Sequence, residues 1–492
     1  MVIESLKYKI LQQFGFAPTQ EQGQALDTFV SFMTDRDPQA VMILRGSAGT
    51  GKTSLSGAIV RTLLQIRQKV MLLAPTGRAA KVFSLGSGAP AYTIHRRIYR
   101  EKAFAGVDGQ FSLNDNLYTD TLFMVDEASM IANMGLGGTT FGSGCLLDDL
   151  VKFVYQGHND RLLLIGDKAQ LPPVGEEESP ALSASVMEGY GLKVYECDLN
   201  EVLRQSQSSG ILYNATLIRQ MITHDAVTGL PLICFKGFAD IVMMPGAELV
   251  ESLGDSYHHV GMDETMVITR SNKRANIYNN GIRNMVLDRE EELSSGDMLM
   301  IVKNNYFWTE KEKKESGEGS AGAVPAFLAN GDRAKVLRVS NYIELYGFRF
   351  ATLLLQLPDY DDYEMQVTGM LDTLQSEAPA LTHEQQEELF RQVEEDYQHF
   401  VPLKADRMKS IRQDAYFNAL QIKYAYAVTC HKAQGGQWAH VYVDQGYMTD
   451  DMLTPDYIHW LYTAFTRATD KLFLVNWPKE QTCEPTDCRR IK

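Results

Sequence analysis

Short apolar runs, each followed by turn residues and then by a helix-compatible stretch, recur along this chain. Val41-Met42-Ile43-Leu44 precedes a glycine-rich turn and the run Ser54 to Gln65. Lys69 to Ala74 reads as a buried strand, ended by Pro75-Thr76-Gly77-Arg78 and followed by a helix from about Ala79. Leu122 to Val125 and Leu162 to Ile165 have the same form, and acids follow at Asp126-Glu127 and Asp167. Thr265 to Arg270, His440 to Asp444 and Lys471 to Val475 repeat it later. Unbroken apolar runs are what strands buried on both faces of a parallel sheet require, so the pattern predicts an α/β fold.

The remaining stretches break this rhythm. Residues 1–40 read as a helical lead-in, with Thr19 and Gln22 spaced as a capping box. That spacing leaves both a capping role and a nucleotide-contacting role open. Val107-Asp108-Gly109-Gln110-Phe111 is a hairpin signal with Asp-Gly at the turn, flanked by Phe104 and Phe111. Residues 132–144 are glycine-rich and predict a surface loop. From about 291 to 415, short runs (Met298 to Val302, Ala334 to Val339, Phe350 to Leu355) predict a small β-rich insert. It contains a Gly/Ser/Glu/Lys-rich loop (309–322) and an acidic helix (383–398) that reads as a solvated face. Residues 477–492 read as a loose tail.

The 492 residues allow about three domains, and a 45% hydrophobic content is enough for real cores. No apolar run approaches the ~20 residues needed to span a bilayer, and the first residues lack a secretory h-region. The six scattered cysteines, with only Cys483 and Cys488 close together, read as reduced thiols of a cytoplasmic protein. A net charge of −15 argues against a surface coated for polyanions but leaves room for a local basic groove.

The candidate chemistry centres on Gly46-Ser47-Ala48-Gly49-Thr50-Gly51-Lys52-Thr53, a G-x-x-x-x-G-K-[ST] loop between strand and helix. Its glycines let backbone N–H groups turn onto phosphate oxygens, and the following helix N-terminus adds partial positive charge. Lys52 can reach the β- and γ-phosphates, and the Thr53 hydroxyl is placed for Mg²⁺. Asp126 is the second candidate Mg²⁺ ligand and Glu127 the candidate general base, both delivered to a strand's C-terminal end. Gln170, close after Asp167, is either an amide that senses the γ-phosphate or part of a rigid Pro172-Pro173 loop. Arg204 and Arg467 are candidates for stabilising charge on the transferring phosphoryl group.

In this order the motifs resemble those of the superfamily 1 DNA helicases, most closely the RecD-like/Dda branch. The matching stretches run from Thr19-x-x-Gln22 and the phosphate loop through Ala74 to Ala80, Thr93-Ile94-His95, Val125 to Ser129 and Gly166 to Pro172. They continue with Leu203-Arg204-Gln205, Tyr426 to Gly435 and Leu461 to Ala468. The resemblance implies two RecA-like P-loop domains with ATP between them, a hairpin pin at about 99–120, and an SH3-like barrel insert. Asn304-Asn305-Tyr306 and Asn330-Gly331-Asp332 fit the start of that barrel. It divides the chain into 1–205, 206–290, 291–415 and 416–492. It assigns Gln22 to adenine, Gln170, Arg204, Arg467 and Gly435 to the nucleotide, and Arg467 to the role of arginine finger. Single-stranded DNA would meet Pro75, Thr76, Arg78, Thr93 and His95 on the first domain and Thr429, His431 and Lys432 on the second. The implied activity is 5′→3′ translocation and unwinding of forked or 5′-tailed duplex, driven by Mg-ATP. A translocase that does not unwind, or a nucleotide-gated scaffold recruiting a protein through helix 383–398, are the alternatives. The acidic helix departs from the family's usual barrel.

Overall fold

In the computed structural model, residues 2–105, 108–135, 142–202, 208–223, 229–316, 324–325 and 327–483 are described. The strand ahead of the phosphate loop, β1 (Ala40–Gly46), is buried at every position. Met42 and Leu44 enter one core with the helices Val2–Phe14, Gln20–Thr34 and Lys52–Gln65. Val41 and Ile43 enter a second core on the opposite face, with the helix Leu146–Gln156. Two-sided burial is why this strand carries no polar alternation.

The other strands of this domain are β2 (Lys69–Ala74), β3 (Ala91–Thr93), the pair β4 (Tyr99–Ala105) and β5 (Asp108–Leu113), β6 (Thr121–Val125), β7 (Arg161–Gly166) and β8 (Lys193–Leu199). The sheet runs β3-β2-β6-β7-β1-β8, with every pairing parallel. The phosphate loop and both acid-tipped strands therefore open at one edge, where parallel sheets bind ligands. β4 and β5 form the separate antiparallel hairpin. Ala105 pairs with Asp108, so Asp108-Gly109 lie in the strand rather than at the turn predicted for them. Residues 106–107 and the Phe104 side chain lie outside the described residues.

The second α/β domain contains β9 (Ile241–Met244) and β10 (Thr265–Thr269) before the insert. The insert is a closed barrel of β11 (Met298–Ile301), β12 (Arg333–Leu345), β13 (Phe348–Leu357), β14 (Tyr363–Met370) and β15 (Leu420–Tyr424). β15 pairs with both β11 and β14, so the barrel draws its closing strand from beyond residue 415. The domain resumes with β16 (Ala427–Thr429), β17 (Trp438–Asp444) and β18 (Ala468–Val475), in the parallel order β16-β10-β17-β18-β9.

The acidic helix His383–Gln398 starts on a Thr382/Gln385 capping box. Leu389 and Val393 are buried beside Phe348, Phe350 and Ile411, so it is docked on the barrel by an apolar stripe as well as solvated on its acidic face. The hairpin reaches the barrel too: the Phe111 ring lies 5.1 Å from Tyr306, which stacks on Phe327 at 4.8 Å.

One expectation is overturned. Cys234 and Cys483, 249 residues apart, form a disulfide. A parallel bridge brings them together, with Ile233 N donating to Gln481 O (2.9 Å) and Cys483 N to Ile233 O (3.1 Å). Spacing arguments compare near neighbours and miss a pair joined by backbone pairing. Cys145, Cys197 and Cys430 carry free thiols, and Cys488 lies outside the described residues. No helix among the described residues is long and apolar enough to cross a membrane.

Candidate nucleotide cleft and nucleic-acid surface

The phosphate loop closes through backbone conformations that side chains resist. Gly49 (φ +76°) and Gly51 (φ +81°) are left-handed, and a Cβ on Gly46 would stand 2.7 Å from Lys52 Cγ. Lys52 Nζ donates to the Gly46 and Ser47 carbonyls, the latter at 2.9 Å. Thr50 Oγ1 donates to Ser47 O at 2.8 Å. Behind the loop, Gln22 is fully buried; its Oε1 accepts from Thr19 N (3.0 Å) and its Nε2 donates to Thr50 O (2.9 Å). Gln22 thus completes the capping box and ties that helix to the phosphate loop. Thr53 opens the following helix from an exposed position.

Asp126 and Glu127 stand at the end of β6. Glu127 adopts φ +52°, a left-handed conformation uncommon for a residue with a side chain, and its N–H donates to Asp126 Oδ1 at 2.9 Å. Burial, reinforced by the Glu127 charge, pushes the Asp126 carboxyl up to about 7, against the pull of Lys52. At the end of β7, Asp167 Oδ1 accepts from Ala169 N (3.0 Å). Gln170 is buried and its Oε1 has no protein partner, an acceptor held ready in the cleft wall at the cost of a missing hydrogen bond.

The second domain closes the cleft with side chains from two helices and with Gln434, which follows the turn Cys430–Ala433. From Pro455–Phe465, the Tyr462 hydroxyl accepts from Ala48 N (3.0 Å) and donates to Asp167 Oδ2 (2.6 Å). Thr463 Oγ1 accepts from Leu171 N (2.8 Å), and His459 Nδ1 lies 3.0 Å from Ala169 O. Gln434 Nε2 donates to Leu171 O at 2.7 Å. From Gly210–Thr223, Arg219 donates to Ser47 Oγ. A cavity of about 400 Å³ remains, lined among others by Ser47, Asp167, Lys168, Arg219 and His459.

The candidate residues are therefore distributed unevenly. Lys52, Gln170 and the Gly46–Thr53 loop share one cleft edge with Asp126 and Glu127. Arg467 is buried one turn beyond Thr463, donating to Thr463 O (3.1 Å), Gly436 O (3.0 Å) and Thr466 Oγ1 (3.2 Å), so its guanidinium is engaged within its own domain. Arg204 lies outside the described residues. Gly435 (φ +72°) lies at a close approach of the two domains: a Cβ there would meet Thr76 Oγ1 at 3.1 Å and Ala79 Cβ at 3.2 Å. Arg219 carries no motif signal; only the packing of its helix brings it to the loop.

Of the predicted nucleic-acid residues, Thr76 and Arg78 stand where the first domain meets the second. Thr76 caps the helix Gly77–Ser87, accepting from Ala79 N at 3.2 Å, with Pro75 just before it. Arg78 lies 4.3 Å over the Trp438 ring and donates to Gln437 O at 2.6 Å, while its Nη1 is buried without a protein partner. Burial, then Arg333, lowers Arg78 to about 10. Thr93 caps the turn Ile94–Ile98, and His95, lowered to about 4 by burial, lies 5.7 Å from the Tyr99 ring. Thr429, His431 and Lys432 open the turn Cys430–Ala433, with Lys432 lowered to about 8 by burial. Barrel residues border the same junction: Lys81 Nζ donates to Pro358 O at 2.6 Å, and a Cβ on Gly77 would stand 2.5 Å from Asp332 Oδ1.

Two family models match the chain: an AAA domain over residues 17–228 and a UvrD-like helicase C-terminal domain over residues 424–475. The ATP-dependent RecD2 DNA helicase of Deinococcus radiodurans is 30% identical over 157 residues, covering 32% of this chain and 18% of that protein. The ATP-dependent DNA helicase dda of Enterobacteria phage T4 is 25% identical over 267 residues, covering 52% of this chain and 55% of that protein. The chain thus spans about half or less of the length of these two relatives. A Pif1 helicase from Bacteroides, solved with ADP-AlF3 and ssDNA, covers 96% of this chain and 97% of its own at 13% identity, with a TM-score of 0.46.

Proposed function

We propose that this chain is a superfamily 1 helicase of the RecD-like/Dda branch, an ATP-dependent DNA helicase moving 5′→3′ on single-stranded DNA; the two family models and the similarity to the RecD2 and dda helicases support this reading. The observation that carries the reading is the double-sided cleft. The first domain offers the phosphate loop and acid-tipped strands, while Tyr462 and Thr463 of the second bond directly to Ala48 and Leu171. A change in the loop on hydrolysis would reach the other domain through these bonds, which is what a ratchet on DNA needs.

In this reading Lys52 and the loop amides hold the β- and γ-phosphates, and Glu127 orients the attacking water. Gln170 offers its free acceptor to that water, and Arg204 and Arg467 meet the γ-phosphate, Arg467 after leaving its contacts with Thr463, Gly436 and Thr466. Asp126, raised by burial and by Glu127, fits a divalent cation that would relieve both acids. No group of three or more His, Cys, Asp or Glu gathers among the described residues, so the cation would rest on Asp126, Thr53 and nucleotide oxygens, as Mg²⁺ prefers. When bound, Mg²⁺ supplies charge neutralisation across the phosphates. DNA would thread past Pro75, Thr76, Arg78, Thr93, His95, Thr429, His431 and Lys432, bound mainly through phosphates and tolerant of sequence. The hairpin, braced on Tyr306, would part the duplex.

The test is strand displacement on duplexes tailed at either end, beside ATPase rates with and without single-stranded DNA. Displacement of the 5′-tailed duplex alone is expected. ATPase without displacement of either substrate would favour a translocase, and displacement from 3′ tails would reverse the polarity.

A further inference from the structure

Two consecutive residues at the head of the phosphate loop are held from across the cleft. Tyr462 takes the Ala48 N–H. One residue earlier, Ser47 Oγ accepts from Arg219 Nη1, which also lies 3.3 Å from Asn200 Oδ1 in the segment that leaves β8 towards the second domain. Asn200 is itself anchored, because its N–H and that of Glu201 both donate to Glu21 Oε2. Arg219 therefore bridges three parts: the loop, the connection between domains, and the second domain's helix Gly210–Thr223. Arg467, singled out by motif, is held instead by Thr463, Thr466 and Gly436 of its own domain, and Arg204 lies outside the described residues.

We infer that Arg219 is a further positioning residue for nucleotide hydrolysis, acting through Ser47; the inference rests on the ATPase reading above. By donating to Ser47 Oγ it occupies a hydroxyl lone pair and leaves the Ser47 O–H to point elsewhere in the cleft as a donor. Its charge stands one hydroxyl away from the loop, beside the cavity shared with Lys168 and His459, where charge developing on a phosphoryl group would be felt strongly. The contact spans two domains, so it exists only while they are closed together. Nucleotide held by the first domain alone does not need it; turnover does. Removing Arg219 should therefore act on kcat rather than on nucleotide binding.

The experiment measures DNA-stimulated ATPase for wild type, R219A, R219K, S47A and the R219A/S47A double variant, with thermal unfolding and fluorescent-ADP binding alongside. R219A is expected to lower kcat about tenfold while KM and ADP affinity stay within about threefold. R219K, which keeps the charge and one donor, recovers part of the loss. The double variant is no worse than R219A alone, because the two groups work as a unit. Wild-type kcat in R219A, or losses that multiply in the double variant, would overturn the inference. If R219A melts early, S47A decides, since it leaves the helix packing intact: a normal kcat there also overturns it. A wild-type chain without ATPase defeats the proposed function instead, and the ADP-binding arm separates the two failures.

Discussion

The two α/β domains share an architecture and divide the labour. In the first, parallel strands end in a glycine-rich loop after β1, two acids after β6 and Asp167 after β7. In the second, equivalent ends carry no phosphate loop: β10 ends at Thr269, β16 at Thr429 and β17 at Asp444, which is held by Arg274 (2.7 Å) and Tyr278 (2.6 Å). The second domain meets the cleft through helix side chains instead: Arg219, His459, Tyr462 and Thr463. A sheet edge of backbone amides can cradle phosphate; helix-borne hydroxyls and guanidinium groups can only touch what is already held. The same fold thus makes a binder on one side and a reader on the other.

The sharpest break of this contrast is Glu127→Gln. It replaces the proposed base by an amide of the carboxylate's shape, so turnover should fall by about 10² or more with nucleotide binding retained, read as ATPase against fluorescent-nucleotide titration. Turnover like wild type would move the chemistry out of the first domain.

Gln170→Ala tests the boundary itself. Gln170 belongs to the first domain, yet its neighbour Leu171 is held on both N–H and C=O by Thr463 and Gln434 of the second. Because Gln170 Oε1 bonds nothing in the protein, its removal should leave the thermal midpoint unchanged or slightly higher. DNA-stimulated turnover should drop by roughly tenfold. A lowered midpoint with normal turnover would make Gln170 a structural residue of the Pro172-Pro173 loop.

The smallest effect expected is Asp126→Asn on the nucleotide-free chain. A carboxyl whose folded value is raised to about 7 binds its proton more tightly folded than unfolded. Its contribution to stability is therefore fullest below the ordinary carboxylate range and is lost as pH rises towards 7. The variant should melt a few degrees higher than wild type at pH 8, with the gap closing towards pH 4. A constant gap across that range would assign the effect to packing rather than charge.

What the amino-acid order alone determined is whatever chemistry is local in the chain. The phosphate loop depends on glycines within a few residues of each other, the buried strands on unbroken apolar runs, and the acids on their place at strand ends. The capping box of Thr19 and Gln22 was readable for the same reason, although not that Gln22 also binds Thr50. Only the tertiary structure decided the contacts between distant segments. Arg219 sits mid-helix among residues that mark nothing, and becomes informative when packing lays that helix against the loop. Cys234 meets Cys483 through a bridge across 249 residues, and β15 closes a barrel that the local pattern ended at 415. Gly435 has the left-handed backbone common in turns; its close neighbours, Thr76 and Ala79, come from another domain. Local rules constrain a few adjacent dihedrals and their side chains, whereas these pairings are selected by the burial of whole faces, a sum that no short window of sequence contains.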